Sequence, residues 1–306
     1  MLEVSHQKGF FSWKGNHLNF TGASTIIFYL FFALTILASF LLWIFRNPIR
    51  RNYQNRETIM KMKKNNFWIL FGSISLFLLM ARSFILLFTK IPRPWESIPL
   101  HLCRLMLIFI IITFITNKFS FIKYFVLFAI LGAFIAFIIP GLDFRTEKQL
   151  NSPSPIGIDN FYYWDYLFAH IYVYALSFVL LIINDNNKYT FKHALITFGM
   201  FSAIFIVIFF INFLTNKFAS ELWKTNYFYL GFNKYNPFYK VGGILTHWPY
   251  HLISYIVLSF IILIFMVFVI SFQEIFYLDK VENKWIFKIQ KSKIWCEYWK
   301  SCKVKK

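Results

Sequence analysis

In the stretch PRPWESIPLHLCR, residues 92–104, a cysteine follows Pro99 by four positions and is flanked by His101 and Arg104. Proline suits the first turn of a helix, so Ser97 or Ile98 is the expected cap and Cys103 falls near a helix N-terminus. The partial positive charge of that terminus, with the adjacent Arg104, favours the thiolate, which is the nucleophilic form of cysteine. Cys103 is therefore a candidate nucleophile. The competing reading is a small cysteine packed in an apolar helix. His101 stands two residues from Cys103 and points to another side of the helix, so a base must come from elsewhere: His170 first, then His247 or His251.

The elements that position these residues are membrane spans. The 306-residue chain is 58% hydrophobic, 23% aromatic and only 15% charged, with a mean hydropathy of +0.55. That apolar content exceeds what a water-soluble domain can bury. Apolar runs at 24–45, 67–88, 98–116, 121–140, 163–183, 193–214 and 246–272 each approach the roughly 20 residues needed to cross a bilayer. The expected fold is an all-α polytopic bundle of seven transmembrane helices. Residues 1–23 form an extracytoplasmic N-terminal segment, 24–272 the membrane domain and 273–306 a basic aromatic tail. The link at 117–120 is short and demands a tight antiparallel turn.

The net charge of +19 is carried between and after the apolar runs. Orientation and anionic headgroups account for it, and nucleic acid is not an expected partner. Placing the N-terminus outside and the C-terminus in the cytoplasm puts the heaviest basic segments, 46–66 and 273–306, inside a cell membrane. The tail VENKWIFKIQKSKIWCEYWKSCKVKK reads as an interfacial segment for anionic inner-leaflet lipids. Neither HExxH nor CxxC spacing occurs, and neither a metal nor a cofactor is expected.

Polar groups at membrane depth gather toward one end. Arg82 lies late in the second span, Arg104 early in the third, Asp165 and His170 early in the fifth, and His247 and His251 early in the seventh. On the fifth span Tyr163, Tyr166, His170, Tyr174 and Ser177 recur at spacings of three and four, a polar stripe on one face. His247, Tyr250, His251 and Ser254 form a similar face on the seventh. Candidate substrate contacts are Arg82, His101, Arg104, Tyr166, Tyr174, His247 and His251. Arg82 and Arg104 read either as ligands for a phosphate or carboxylate or as anchors that snorkel to the surface.

The ordered set IPLHLCRLMLIF (98–109), WDYLFAHIYVYALSFVLLI (164–182), NYFYL (226–230) and HWPYH (247–251) resembles the YwaF-like bacterial integral membrane proteins, from the second span onward. That family's last motif reads Gly-Pro-Trp-Pro-Trp-Tyr. This chain has Leu245-Thr246-His247-Trp248-Pro249-Tyr250 and lacks the Gly-Pro pair. More distant animal relatives are cysteine-dependent acyltransferases acting on ether phospholipids. The resemblance implies that Cys103 matches their cysteine, that His170 matches a histidine of the fifth-span motif, and that membrane phospholipid is the substrate. Three functions follow as expectations: a lipid acyltransferase or hydrolase with a cysteine nucleophile, a small-solute transporter or ligand-binding bundle, and a structural or partner-binding protein.

Overall fold

A computed structural model describes residues 9–11, 13, 20–142, 156–184, 189–232, 242–281 and 284–302. Most of the N-terminal segment 1–23, much of the SPSPIGIDN loop, and residues 233–241 lie outside the described residues. Among the described residues, seven helical segments are long and apolar enough to cross a membrane. They are built on α1 (Ala23–Ile44), α3 (Lys64–Phe88), α4 (Leu102–Thr116, its span reaching back to Pro94 through a 3-10 turn), α5 (Ile122–Ile138, its span reaching back to Phe119), α6 (Phe161–Ile183), α7 (Phe191–Phe218) and α8 (Tyr250–Gln273). The short amphipathic α2 (Arg46–Asn55) follows α1, and α9 (Lys293–Cys302) ends the described chain.

The helix ends follow local chemistry. The Asn160 side chain caps α6 by accepting from the Tyr162 N–H, and Thr190 forms a capping box with His193 at the start of α7. The short link after α4 closes as expected: Asn117 adopts a left-handed conformation (φ 52°) and its N–H donates to the Phe114 carbonyl. In the α3–α4 contact, a Cβ added to Gly72 would stand 2.8 Å from Phe114 Cβ. Close helix approach at a small residue is how membrane helices gain packing in the absence of a hydrophobic drive.

Burial separates a centre from a lipid-facing rim. More than half of the most apolar window of the α5 span is buried within the protein (56%), against 17% for α1 and 18% for α8. Helix α5 packs on α4, α6 and α7, while α1 lies on α6, and α8 on α7. The polar stripe of α6 faces inward: Tyr163, Tyr166, His170, Tyr174 and Ser177 are all buried.

Two small hairpins accompany the helices. Strands β1 (Thr58–Ile59) and β2 (Met62–Lys63) form a tight pair between α2 and α3. Strands β3 (Phe276–Val281) and β4 (Lys284–Ile289) fold the first part of the tail into an antiparallel hairpin. An isolated two-stranded hairpin is marginal in water, and this one is fastened to α2. Arg46 Nη1 donates to the Phe276 carbonyl (2.6 Å), its guanidinium lies over the Tyr277 ring, and Arg51 pairs with Asp279.

The hydrogen bond and charge of Arg51 hold the Asp279 carboxyl below the usual carboxylate range. A group depressed in the folded state stabilises above its unfolded value, about 3.9 for Asp, and that contribution is lost as pH falls through the folded value. Protection of the amides in 276–281 against hydrogen exchange, relative to the intrinsic rate at each pH, should therefore be high near neutrality and fall only in acid. Asp279→Asn should show low protection at every pH. Equal exchange in the variant and the parent at pH 7 would contradict the clamp.

Candidate functional site

Of the polar groups expected at one end of the bundle, Arg82 and Arg104 meet around a single carboxylate, Asp165. Asp165, in the second turn of α6, accepts from Arg82 Nε of α3 (3.1 Å) and Arg104 Nη2 of α4 (2.6 Å), and all three side chains are largely buried. Charges at this depth persist only when paired and hydrogen-bonded. Arg82 also reaches the chain ahead of α4: its Nη1 donates to the Glu96 carbonyl (2.7 Å) and more weakly to that of Ser97. Ser83 Oγ donates to the Ser97 carbonyl as well, and the Tyr227 hydroxyl donates to the Trp95 carbonyl. Three successive carbonyls of the 3-10 turn Pro94–Ser97 are thereby held.

This turn corrects the expected start of the third span. Ser97 and Ile98 are not the cap; His101 is, and α4 begins at Leu102. Cys103 is the second residue of the helix. The first N–H groups of a helix have no intrahelical acceptor, and the first bond into α4 from outside it is Leu105 N–H to the His101 carbonyl. His101 provides no side-chain cap. Among the described residues, the N–H groups of Leu102, Cys103 and Arg104 make no backbone bond beyond that turn. Cys103 keeps accessible surface. It sits on α5 at Gly132, where an added Cβ would lie 3.0 Å from Leu102 Cδ2 and 3.4 Å from Cys103 Sγ.

His170 lies one turn below Tyr166. Its Nδ1 approaches the Tyr166 carbonyl at 2.6 Å. A carbonyl only accepts, so Nδ1 carries the proton and Nε2 is the unprotonated nitrogen of the neutral ring. Nε2 makes no hydrogen bond among the described residues. The Tyr166 ring packs on His170 with centroids 4.2 Å apart. No hydrogen bond joins Cys103 to His170.

The remaining candidates divide. Arg82 is engaged by Asp165 and the two carbonyls, so it is a fastener. Arg104 commits Nη2 to the side chain and carbonyl of Asp165, while its other guanidinium nitrogens make no hydrogen bond among the described residues. The charge that was expected to favour a Cys103 thiolate is thus directed at Asp165. The Tyr166 hydroxyl is committed too, donating to the Ala136 carbonyl and accepting from the Gly141 N–H. The Tyr174 ring packs among Phe134, Phe137 and Phe178. His101 packs on Trp95 and Tyr227 and approaches Glu96 at 3.5 Å. His251 stands apart: Nε2 meets the Gly231 carbonyl (3.3 Å), its ring packs on Phe209, and α8 lies chiefly against α7. His247 ends the turn Gly243–Thr246 that leads into α8. Helix α6, which carries His170, packs on α4, the helix of Cys103.

Several residues that organise the site had not been singled out. Asn212, fully buried on α7, accepts through Oδ1 from the Tyr227 N–H and the Thr225 hydroxyl and donates through Nδ2 to the Tyr227 carbonyl. It fixes the tyrosine that grips Trp95. An asparagine deep in an apolar run was the available signal. Among the described residues, no group of three His, Cys, Asp or Glu side chains is placed to hold a metal ion.

Removing one partner of a buried ionic cluster leaves uncompensated charge and costs about 3–5 kcal/mol. Asp165→Asn should lower the thermal unfolding temperature of the detergent-solubilised protein far more than Arg104→Met, which leaves Arg82 paired with Asp165. Equal, small shifts for both variants would contradict the role given to Asp165.

A family model for the TMEM164 family matches residues 19–268, from just before α1 into α8. No curated protein and no solved structure matches the chain. The match covers the whole set of membrane spans that builds the site, and the chain is an integral, multi-pass membrane protein belonging to the TMEM164 family.

Proposed function

We propose that the protein is a membrane-embedded lipid acyl-transfer enzyme that uses Cys103 as nucleophile and His170 as its base. The observation that carries this reading is the position of Cys103 as second residue of α4, in the first turn, where N–H groups have no acceptor within the helix. Such donors suit the oxyanion that forms when a thiol adds to an ester carbonyl. In the reaction, Cys103 Sγ forms a bond to the acyl carbon while its proton passes to His170 Nε2. The ester C–O bond then breaks, the lysophospholipid oxygen takes that proton back, and an acyl thioester remains on Cys103. A second lysophospholipid hydroxyl, or water, attacks the thioester, and the proton it releases returns to sulfur through His170.

Three further points support the reading. Cys103 lies within one turn of the start of its helix, and at about 1.5 Å per residue that is the depth of the headgroup and acyl boundary. The uncommitted nitrogens of Arg104 suit a headgroup phosphate. The resemblance of the sequence motifs to the YwaF-like proteins, and through them to cysteine-dependent acyltransferases, implies roles for the same cysteine and histidine. The charge distribution supports an orientation with the C-terminus in the cytoplasm and the site toward the outer leaflet of the cell membrane.

A bundle that only binds a small anion is the second reading, and the spare donors of Arg104 favour it. The two separate on Cys103. Treatment of the bilayer-reconstituted protein with an acyl-type electrophile should modify Cys103, and His170→Ala should slow that modification by about 10²-fold or more, the contribution of a positioned base. Cys103→Ser should abolish acyl transfer with the fold intact. Labelling confined to Cys296 and Cys302, or anion binding and acyl transfer that survive Cys103→Ser, would remove the nucleophile.

A further inference from the structure

At the opposite end of the bundle, the β3–β4 hairpin has two chemically different faces. The register pairs Phe276 with Ile289, Leu278 with Phe287 and Lys280 with Trp285 on one face, and Tyr277 with Lys288 and Asp279 with Ile286 on the other. The face carrying Tyr277 and Asp279 is the one turned to Arg46 and Arg51 of α2, and both of those strand residues are buried. The other face is mainly apolar and open, with Lys280 at its end: Trp285 is 54% exposed, Phe287 56% and Ile289 67%, against 42% for Ile286 on the α2-facing side. Strand alternation, not a folding defect, produces this pattern, because a period of two sends adjacent side chains to opposite faces.

Two contacts fix where this open face lies. Trp285 meets Phe45 at the end of α1 (5.1 Å), and Phe276 meets Phe272 at the end of α8 (5.3 Å). The apolar face thus continues the lipid-facing surface of two spans at the level where they leave the bilayer. In sequence the charges of residues 280–300 are mostly basic, with Lys280, Lys284, Lys288, Lys291, Lys293 and Lys300 against Glu282 and Glu297. Lys280, Lys284, Lys291 and Lys293 are exposed and form no ion pair among the described residues. Two of the neighbouring acids are engaged within the protein: Asp279 by Arg51, and Glu274 by Ser292 Oγ and the Ile294 N–H at the start of α9. On α9, Trp295 and Trp299 add exposed indole rings, and Trp295 packs on Phe268 of α8.

The geometry points to the hairpin as a lipid-binding surface: its apolar face inserts at the headgroup and acyl boundary of the leaflet at the basic end, and its lysines select anionic headgroups. The occupant is the protein's own bilayer. This surface lies across the membrane from Cys103 and is independent of the acyl-transfer reading.

The test uses the full chain with Cys296 and Cys302 replaced by Ser and a polarity-sensitive fluorophore at Phe287→Cys or, on the opposite face, Ile286→Cys. The same background without a new cysteine corrects for Cys103. In phosphatidylcholine bilayers containing phosphatidylglycerol, the label at 287 should shift to the blue and be quenched by aqueous iodide several-fold more slowly than in detergent, with a smaller change at 286. Replacing Lys280, Lys284, Lys291 and Lys293 by Gln should remove the dependence on phosphatidylglycerol and leave the fold unchanged. Iodide access in bilayers equal to that in detergent would overturn the assignment. Protection that is the same without phosphatidylglycerol would overturn the anionic selectivity, and protection that grows with protein density would mark a second copy as the occupant instead of lipid.

Discussion

One buried carboxylate organises the end of the bundle where the chemistry converges. Asp165 on α6 draws Arg82 from α3 and Arg104 from α4 to a single point. Two guanidinium groups cannot remain at that depth without it. Arg82 then extends the grip to the carbonyls of Glu96 and Ser97, and so to the turn that sets where α4 begins. Cys103 owes its place as second residue of that helix to this chain of contacts, since no side-chain cap fixes the α4 N-terminus. The same turn is held from its far side by Tyr227, which Asn212 fixes to α7. Four helices therefore position one thiol, and they do so with hydrogen bonds, because lipid provides no hydrophobic drive for helix association.

The polar stripe of α6 shows how structure and chemistry share one helix face. Tyr163 donates to the Ser24 carbonyl of α1, and Tyr166 bridges the end of α5, so both serve packing. His170 differs because its backbone bond uses only one ring nitrogen. A bond to the Tyr166 carbonyl fixes the tautomer and leaves Nε2 as an acceptor, the arrangement a base requires. The other end of the bundle is built differently, with a basic helix clamping a hairpin whose outer face is apolar.

Much of this was legible in the sequence. The seven spans could be read to within a few residues because apolar runs of about 20 residues are an unambiguous signal. Intramembrane charge led directly to Arg82, Arg104, Asp165 and His170, and the three-and-four spacing marked the inward face of α6. The start of α4 was misplaced since Pro99 suggested a first turn, whereas Arg82, Ser83 and Tyr227 hold the preceding carbonyls in a separate turn; these partners lie far away in the chain. Arg82 and Arg104 looked equivalent because composition cannot reveal that one also holds the carbonyls of Glu96 and Ser97. The tail hairpin escaped notice as well, since its alternation of Lys with Trp, Phe and Ile fits an interfacial segment of either helical or strand form. His251 was grouped with Cys103 by depth alone, and depth does not say which helices are neighbours.

The central claim is that Cys103 carries the acyl chain in transit. The direct measurement is mass spectrometry of the Cys103 peptide after the protein, reconstituted in bilayers, meets a phospholipid with an isotopically labelled acyl chain. The account predicts a labelled, hydroxylamine-sensitive thioester on Cys103 that accumulates when lysophospholipid is withheld and is absent from Cys103→Ser. Acyl transfer that proceeds in Cys103→Ser, with no adduct on Cys103 in the parent protein, would contradict it.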